Sequence, residues 1–345
     1  MGTVLGIESS CDETAAALVT HDRQILAQAI ASQEDHHAPF GGVVPEIAAR
    51  AHVERLTPLI ARVLREAELS LADCSAVAAT AGPGLIGGVM VGLVTAKALA
   101  MASDLPLLAI NHLEGHALSP RLADPALAFP YALLLVSGGH CQILRVEGPG
   151  RYRRIATTID DALGEAFDKT AKILGLGYPG GPAVERLAAR GDPAAIRLPR
   201  PLYGSAEPHF SFAGLKSAVL RAHDSGQYRA EDIAAGFQQA AIACIHDRMT
   251  RALETMGEVT ALVVAGGVAA NRAIRASLEG LAAARGLPFI APPPALCTDN
   301  AAMIAWAGQE RLAAGAAPDP LDIAARPRWP LDPAAEPVRG AGVKA

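Results

Sequence analysis

The chain states one plan twice, and no other feature of the sequence constrains its fold more. Residues 3–19, TVLGIESSCDETAAALV, are two apolar runs around a polar turn, and residues 131–146, YALLLVSGGHCQILRV, repeat that form around a glycine turn. Each hairpin is followed later by an apolar strand that runs into a glycine loop and a helix. These are residues 76–102, AVAATAGPGLIGGVMVGLVTAKALAMA, and residues 261–284, ALVVAGGVAANRAIRASLEGLAAA. A strand–turn–strand unit with a later crossover predicts an α/β lobe, and two of them predict duplicated lobes with a cleft between. At 345 residues, with 51% hydrophobic, the chain is long enough for two cores. The expected division is a first lobe of residues 1–125 plus 295–326, a second lobe of 126–294, and a loosely ordered tail of 327–345.

Helical periodicity fills the space between these landmarks. Residues 46–68 read as one long helix with Pro58 as a break or a new start. Residues 160–175, 231–257 and 299–314 read as further helices, the last capped by Asp299 or Thr298. Residues 74–96 carry no charge and are long enough to span a bilayer. Pro83 and the glycines at 82, 84, 87, 88 and 92 interrupt them, so a buried strand, a loop and a helix are expected and no membrane. Five scattered cysteines without a C-x-x-C pair, and no basic leader, fit a reducing cytoplasm. A net charge of −5 excludes general polyanion binding, so any nucleic-acid contact needs a local patch or a partner.

The stretch NHLEGHALSP, residues 111–120, sets His112 and His116 four apart, on one helix face. A zinc-peptidase helix needs a glutamate directly after the first histidine, but Leu113 stands there and Glu114 is turned off that face. Two histidines alone also read as surface or capping residues. Asp299, in CTDN before a helix, offers a carboxylate for a site with open positions, as in catalytic Zn2+ and non-haem Fe2+ centres.

Four other stretches have chemical potential. The VSGGH turn at 136–140 can aim backbone N–H groups at an anion through Gly138 and Gly139, or be an ordinary hairpin turn. AGGVAANRAIR, with Asn271 in the first turn of a helix, suits a nucleotide at a sheet switch point. GYPGGPAVE at 177–185 is a rigid glycine loop. ESSCDET at 8–14 gathers Glu8, Asp12 and Glu13, which could take a proton or merely satisfy the turn. FSFAGLKSAV, 210–219, fits a lid or an interface.

Taken together and in order, GIESSCDET, GGVVPEIAARAHVE, AGPGLIGGVMVG, NHLEGHALSP, LLVSGGHCQI, DDALGEAFDKTAKILGLGYPGGP, FSFAGLKSAV, GGVAANRAIR and CTDNAAMIA resemble one family. It is the bacterial TsaD family of tRNA N6-adenosine threonylcarbamoyltransferases, and the resemblance covers roughly residues 3–325. It implies the actin, Hsp70 and sugar-kinase (ASKHA, RNase H-like) fold. It implies one divalent metal on His112, His116 and Asp299, Fe2+ first and Zn2+ second. It places the nucleotide-bearing substrate on Leu135, Val136, Ser137, Gly138, Gly139, Asp168, Gly181, Glu185 and Asn271. Asp12 and Glu13 are the acid–base or orienting candidates.

The activity implied is transfer of a threonylcarbamoyl group from L-threonylcarbamoyladenylate to N6 of adenosine 37, in tRNAs reading codons that begin with A, with release of AMP. The implied partners are tRNA, a TsaB-like paralogue docked on the first lobe, a TsaE-like ATPase, and a separate synthase that makes the adenylate. Arg50, Arg55, Arg151, Arg153, Arg154, Lys169 and Lys172 are the candidate tRNA contacts. The competing readings are an ATP-dependent small-molecule kinase of the same fold, a catalytically inactive scaffold, and a metallopeptidase.

Overall fold

A computed structural model describes residues 2–40, 42–177 and 179–338. Two compact units divide the chain, each with its own core. The first comprises Met1–Ala126, Gly148–Arg151 and Thr298–Pro333, and the second Leu127–Glu147, Tyr152–Cys297 and Ala334–Ala345.

The first unit is built on a five-stranded sheet of order β3-β2-β1-β4-β5. Its strands are β1 (Thr3–Glu8), β2 (Glu13–Thr20), β3 (Ile25–Ser32), β4 (Cys74–Gly82) and β5 (Leu107–Asn111). β1 pairs antiparallel with β2 and parallel with β4, which pairs parallel with β5. The helices are α1 (Glu34–His37), α2 (Pro45–Glu66), α3 (Ile86–Ser103), α4 (His112–Ala123) and, from the far end of the chain, α10 (Ala301–Ala313). β1 is wholly buried because helices cover both of its faces: Leu5 and Ile7 join the core under α2 and α3, while Gly6 lies against α10. A Cβ on Gly6 would stand 2.3 Å from the Ala301 carbonyl, so only glycine admits α10 at this distance.

The second unit repeats the arrangement with strands β6 (Tyr131–Val136), β7 (Cys141–Gly148), β8 (Arg151–Thr157), β9 (Leu262–Ala265) and β10 (Phe289–Ile290). Their order is β10-β9-β6-β7-β8, with β6 antiparallel to β7 and parallel to β9. A hairpin extended by a third strand, then two parallel strands on the other side, is the pattern of the first sheet. The helices are α5 (Leu163–Ile173), α6 (Gly180–Ala188), α7 (Ala213–Asp224), α8 (Ala230–Thr255) and α9 (Arg272–Ala284). The duplication expected from the sequence is therefore present in strand order and direction.

Four expectations are corrected. α2 runs through Pro58 without a break, because Pro58 and Glu54 lie on its exposed side, where a carbonyl without its helical partner is open to solvent. α10 is capped by Asn300, whose Oδ1 accepts from Met303 N at 2.9 Å, and not by Asp299 or Thr298. FSFAGLKSAV does not lift off as a lid: Phe210 and Phe212 are core residues, and Asp160 accepts from Ser211 Oγ and Phe212 N. The segment expected to be loose from 327 is tied down over its first residues. Asn111 Nδ2 donates to the Trp329 carbonyl at 2.9 Å, Gly84 N to the Pro327 carbonyl, and Leu331 is buried. Residues 339–345 of that segment lie outside the described residues.

Candidate metal centre and substrate turns

α4 begins where its sequence says it must. Asn111 caps it, Oδ1 accepting from Leu113 N at 2.9 Å, and His112 is its first residue. Gly115 lets α4 lie close to Met303 and Ile304 of α10. That approach carries the residue before the α10 cap to the histidines. With the cap supplied by Asn300, the Asp299 carboxylate points to His116 Nε2 at 3.0 Å and His112 Nε2 at 3.4 Å. One donor atom from each of His112, His116 and Asp299 lies within 4.8 Å of the others.

Around these three the charge is unbalanced. Glu8 is fully buried at the end of β1 and meets His112 Nδ1 with Oε2 at 2.9 Å. Thr80 Oγ1 and Ser10 N, each at 2.6 Å, hold the same carboxylate. Burial pushes the Glu13 carboxyl up, the negative charges of Asp299 and Asp12 push further, and it reaches about 10. Burial disfavours the His112 imidazolium, but Asp299 and Glu8 outweigh that and hold it well above its ordinary range. Asp299 sits well below its own despite burial, held there by His112 and His116. A proton on His112 thus stands where a cation is wanted. Two imidazoles and a carboxylate, in an excess of negative charge, fit a divalent metal ion with positions left for substrate.

Glu114 confirms that α4 is no peptidase helix. It is buried and committed, with Oε2 at 2.5 Å from Arg311 Nη2 and Oε1 accepting from Gly150 N at 2.8 Å. It is not available as a general base. The glycines after β4 serve packing. Gly84, Gly88 and Gly92 meet Ser10, Ser9 and again Ser9, so the 9–12 turn rests directly on α3. His52 braces that turn through Nε2 to the Cys11 carbonyl at 3.1 Å and Nδ1 to Thr14 Oγ1 at 2.8 Å.

The second unit gathers the expected substrate residues at the ends of its strands and helices. Leu135 and Val136 are buried at the end of β6. Ser137 N donates to the His140 carbonyl at 2.8 Å and Ser137 Oγ accepts from His140 N at 3.1 Å, closing the turn. Gly138 and Gly139 face open space, whereas Gly266 is pressed against the Val136 carbonyl with φ +93°. The turn thus lies beside the Gly266–Gly267 bend, and Gly164 of α5 donates to the Ser137 carbonyl at 3.3 Å. Asp168 Oδ1 accepts from Gly180 N at 3.0 Å, which joins Asp168 to the Gly180–Gly181 turn, where Gly181 is open. Tyr178 in that loop lies outside the described residues. Glu185 Oε1 accepts from Arg272 N at 2.7 Å, and Asn271 Oδ1 from Ile274 N at 3.0 Å, so both sit at the α9 N-terminus. Asn271 caps α9 and does not lie in its first turn. Its amide donates to Gln238 Oε1 at 3.0 Å.

The profile of one family, "TsaD: tRNA N6-adenosine threonylcarbamoyltransferase", matches residues 24–306. The chain belongs to this family. A tRNA N6-adenosine threonylcarbamoyltransferase of Erythrobacter litoralis is 74% identical over 345 residues, covering all of both chains. One of Novosphingobium aromaticivorans is 71% identical, again covering all of both. Among solved structures, component A of an Acidaminococcus fermentans hydroxyglutaryl-CoA dehydratase matches 91% of this chain and 100% of its own, at 18% identity and TM-score 0.55. Full-length HypF matches 90% of this chain and 55% of its own, at 14% identity and TM-score 0.60. These two show the fold alone, of the actin, Hsp70 and sugar-kinase type. The activity follows from the family: the chain is an acyltransferase of tRNA modification, a reading favoured over the small-molecule kinase and the peptidase.

Sequence reasoning did not assign the parts of Glu8, Ser10, Thr80 and His52. Glu8 was visible as an acid in the hairpin turn, but nothing in the sequence tied it to His112. β1 and β5 have β4 between them, and that order is a property of the sheet.

Proposed function

We propose that the donor is L-threonylcarbamoyladenylate and the acceptor N6 of adenosine 37 in tRNAs reading codons that begin with A, with AMP released. The observation that carries the proposal is the convergence of His112, His116 and Asp299 in a chain of this family. These three residues would hold one divalent ion, Fe2+ first and Zn2+ second, which supplies Lewis acidity for the oxygen charge that develops during acyl transfer. The exocyclic amine is a weak nucleophile because its lone pair is delocalised into the ring. Positioning must therefore supply much of the rate.

In this reading the chain's own groups divide the work. The N–H groups of Gly138 and Gly139 bind the adenylate phosphate, for which these two residues leave room, while the Ser137 N–H closes the turn on the His140 carbonyl. Leu135, Val136, Asp168, Gly181, Glu185 and Asn271 form the nucleoside subsite. The α9 N-terminus adds its own partial positive charge there. Asp12 and Glu13 orient the amine or take its proton, Glu13 accepting a proton only where a bound cation offsets the negative charges that hold its carboxyl protonated. The metal-holding and adenylate-holding residues belong to the first and second lobes respectively, with residues 1–125 plus 295–326 and 126–294 as the working division.

The partners proposed are tRNA, a TsaB-like paralogue, a TsaE-like ATPase and a synthase supplying the adenylate, all in the cytoplasm. α3 supports the second of these. It is long and apolar enough to cross a membrane, yet a third of that window is buried in its own unit. Ile86, Met90, Val94 and Met101 remain exposed, a stripe suited to a paralogous helix. The test is reconstitution with partner subunits, unmodified tRNA and the adenylate, followed by nuclease digestion and mass spectrometry. Modified adenosine is expected, and its absence with competent substrates and partners would refute the proposal.

A further inference from the structure

Arginines of the segment before α7 and of α7 itself form a cup. Arg197, Arg200 and Arg221 line one open pocket of about 670 Å3 together with Leu198, Pro199 and Tyr203. Among the described residues none of the three forms an ion pair with a carboxylate, and all three are exposed. Residues 197–221 hold four lysines and arginines against a single acid, Glu207, in a chain of net charge −5. Four of the seven basic residues singled out from the sequence already have partners within the chain: Arg50 has Glu46, Lys169 has Asp161 and Glu165, Arg55 has the Ser32 carbonyl and Arg153 the Met256 carbonyl.

The wall of the cup is preformed. Arg248 of α8, 2% exposed, donates to the carbonyls of Ser205 and Glu207, while Asp247 accepts from Gly204 N at 3.3 Å. Phe210 N and the Thr157 carbonyl close the far end at 3.0 Å. The segment is therefore pinned by a buried charge on one side and by β8 on the other. The Arg200 guanidinium lies 5.6 Å from the centre of the Tyr203 ring, which is itself 53% exposed. Unpaired guanidinium groups around an exposed ring have the chemistry of a phosphodiester site with a stacking platform.

We propose that this cup binds the phosphate backbone of the tRNA substrate, with Arg197, Arg200 and Arg221 as the contacts and Tyr203 as the ring beside them. The proposal rests on the family activity, which supplies the polyanion. It explains how an acidic chain gains a local grip on RNA while its general charge stays negative.

The test uses the full chain assembled with its partner subunits. Labelled tRNA is titrated by fluorescence anisotropy across a salt series, against R197Q/R200Q/R221Q and the corresponding triple lysine variant. For the glutamine variant the expected result is a loss of affinity of about tenfold or more. The slope of log K against log salt should fall by about two to three, close to 0.7–0.9 per phosphate contact. The lysine variant should keep most of the slope. Equal Kd and slope in the glutamine variant, with unchanged circular dichroism, would overturn the proposal. So would loss of AMP or inorganic phosphate binding with tRNA binding untouched, which would make the cup a small-anion site. A wild-type assembly that neither binds nor modifies tRNA would overturn the family activity, and the cup with it.

Discussion

Glu8 Oε2 stands 2.9 Å from His112 Nδ1, on the side of the imidazole away from Asp299. Because this carboxylate is buried and also bonded to Thr80 and Ser10, it has one orientation to offer. It draws the imidazole proton to Nδ1 and leaves Nε2 as the lone-pair donor, as carboxylates behind metal-bound histidines do. Glu8→Gln should therefore weaken metal binding by about ten- to hundredfold while the fold persists. Competition against a metal-sensitive chelator measures it. Unchanged affinity in a folded variant would remove Glu8 from the centre.

Asp299 lies near both imidazole Nε2 atoms, at 3.0 and 3.4 Å. Asp299→Asn keeps the shape and removes the charge. Metal content after purification should fall to background, and threonylcarbamoyl transfer should drop by about a hundredfold or more, several kcal/mol of transition-state stabilisation. Elemental analysis beside the reconstituted assay separates the two losses. A metal-replete, inactive variant would place Asp299 on the substrate instead.

The pH response of the metal-free protein follows from the same charges. Glu13 keeps its proton to about 10 when folded and releases it near 4.5 when unfolded. Between those values the unfolded chain binds fewer protons, so stability falls as pH rises, by about 1.4 kcal/mol per pH unit for one full proton. His112 adds in the same direction. Its contribution is complete below 6.5 and lost as pH rises through its elevated folded value. Glu8 and Asp299, both lowered, act oppositely and lose their contribution only on acidification. The Tm of chelator-treated protein should fall steadily from pH 6.5 to 9, and saturating divalent metal should reduce that fall. A flat profile without metal would contradict the charge arrangement.

What the sequence revealed and what it hid divide along a physical line. The hairpins, the glycine loops and the i, i+4 histidines were legible because each is local: period, turn chemistry and helix geometry act within a few residues. Asp299 was identified, though assigned a possible capping role that Asn300 performs. Glu8, Thr80 and His52 were missed as supporting groups because their partners are 104, 72 and 38 residues away and meet only when the sheet order is known. The segment after 326 was misjudged for the same reason. Its Pro- and Ala-rich composition is that of a tail, but its backbone accepts from Gly84 N at Pro327 and from the Asn111 side chain, at the end of β5, at Trp329.

The last prediction concerns the apolar face of α3. Residues 86, 90 and 94 recur at four-residue spacing, and Met90, Val94 and Met101 are 51%, 57% and 69% exposed. A stripe of this kind costs solubility when left bare, whereas a helical partner would remove it from water at about 25 cal/mol per Å2 of apolar surface. M90E/V94E puts two buried charges into any such contact without touching the core, since Val89 and Leu93 face inward. The variant should keep the Tm of the parent and lose the complex proposed with a TsaB-like paralogue in size-exclusion chromatography with light scattering. A complex that survives both substitutions would move the partner to another face of the first unit.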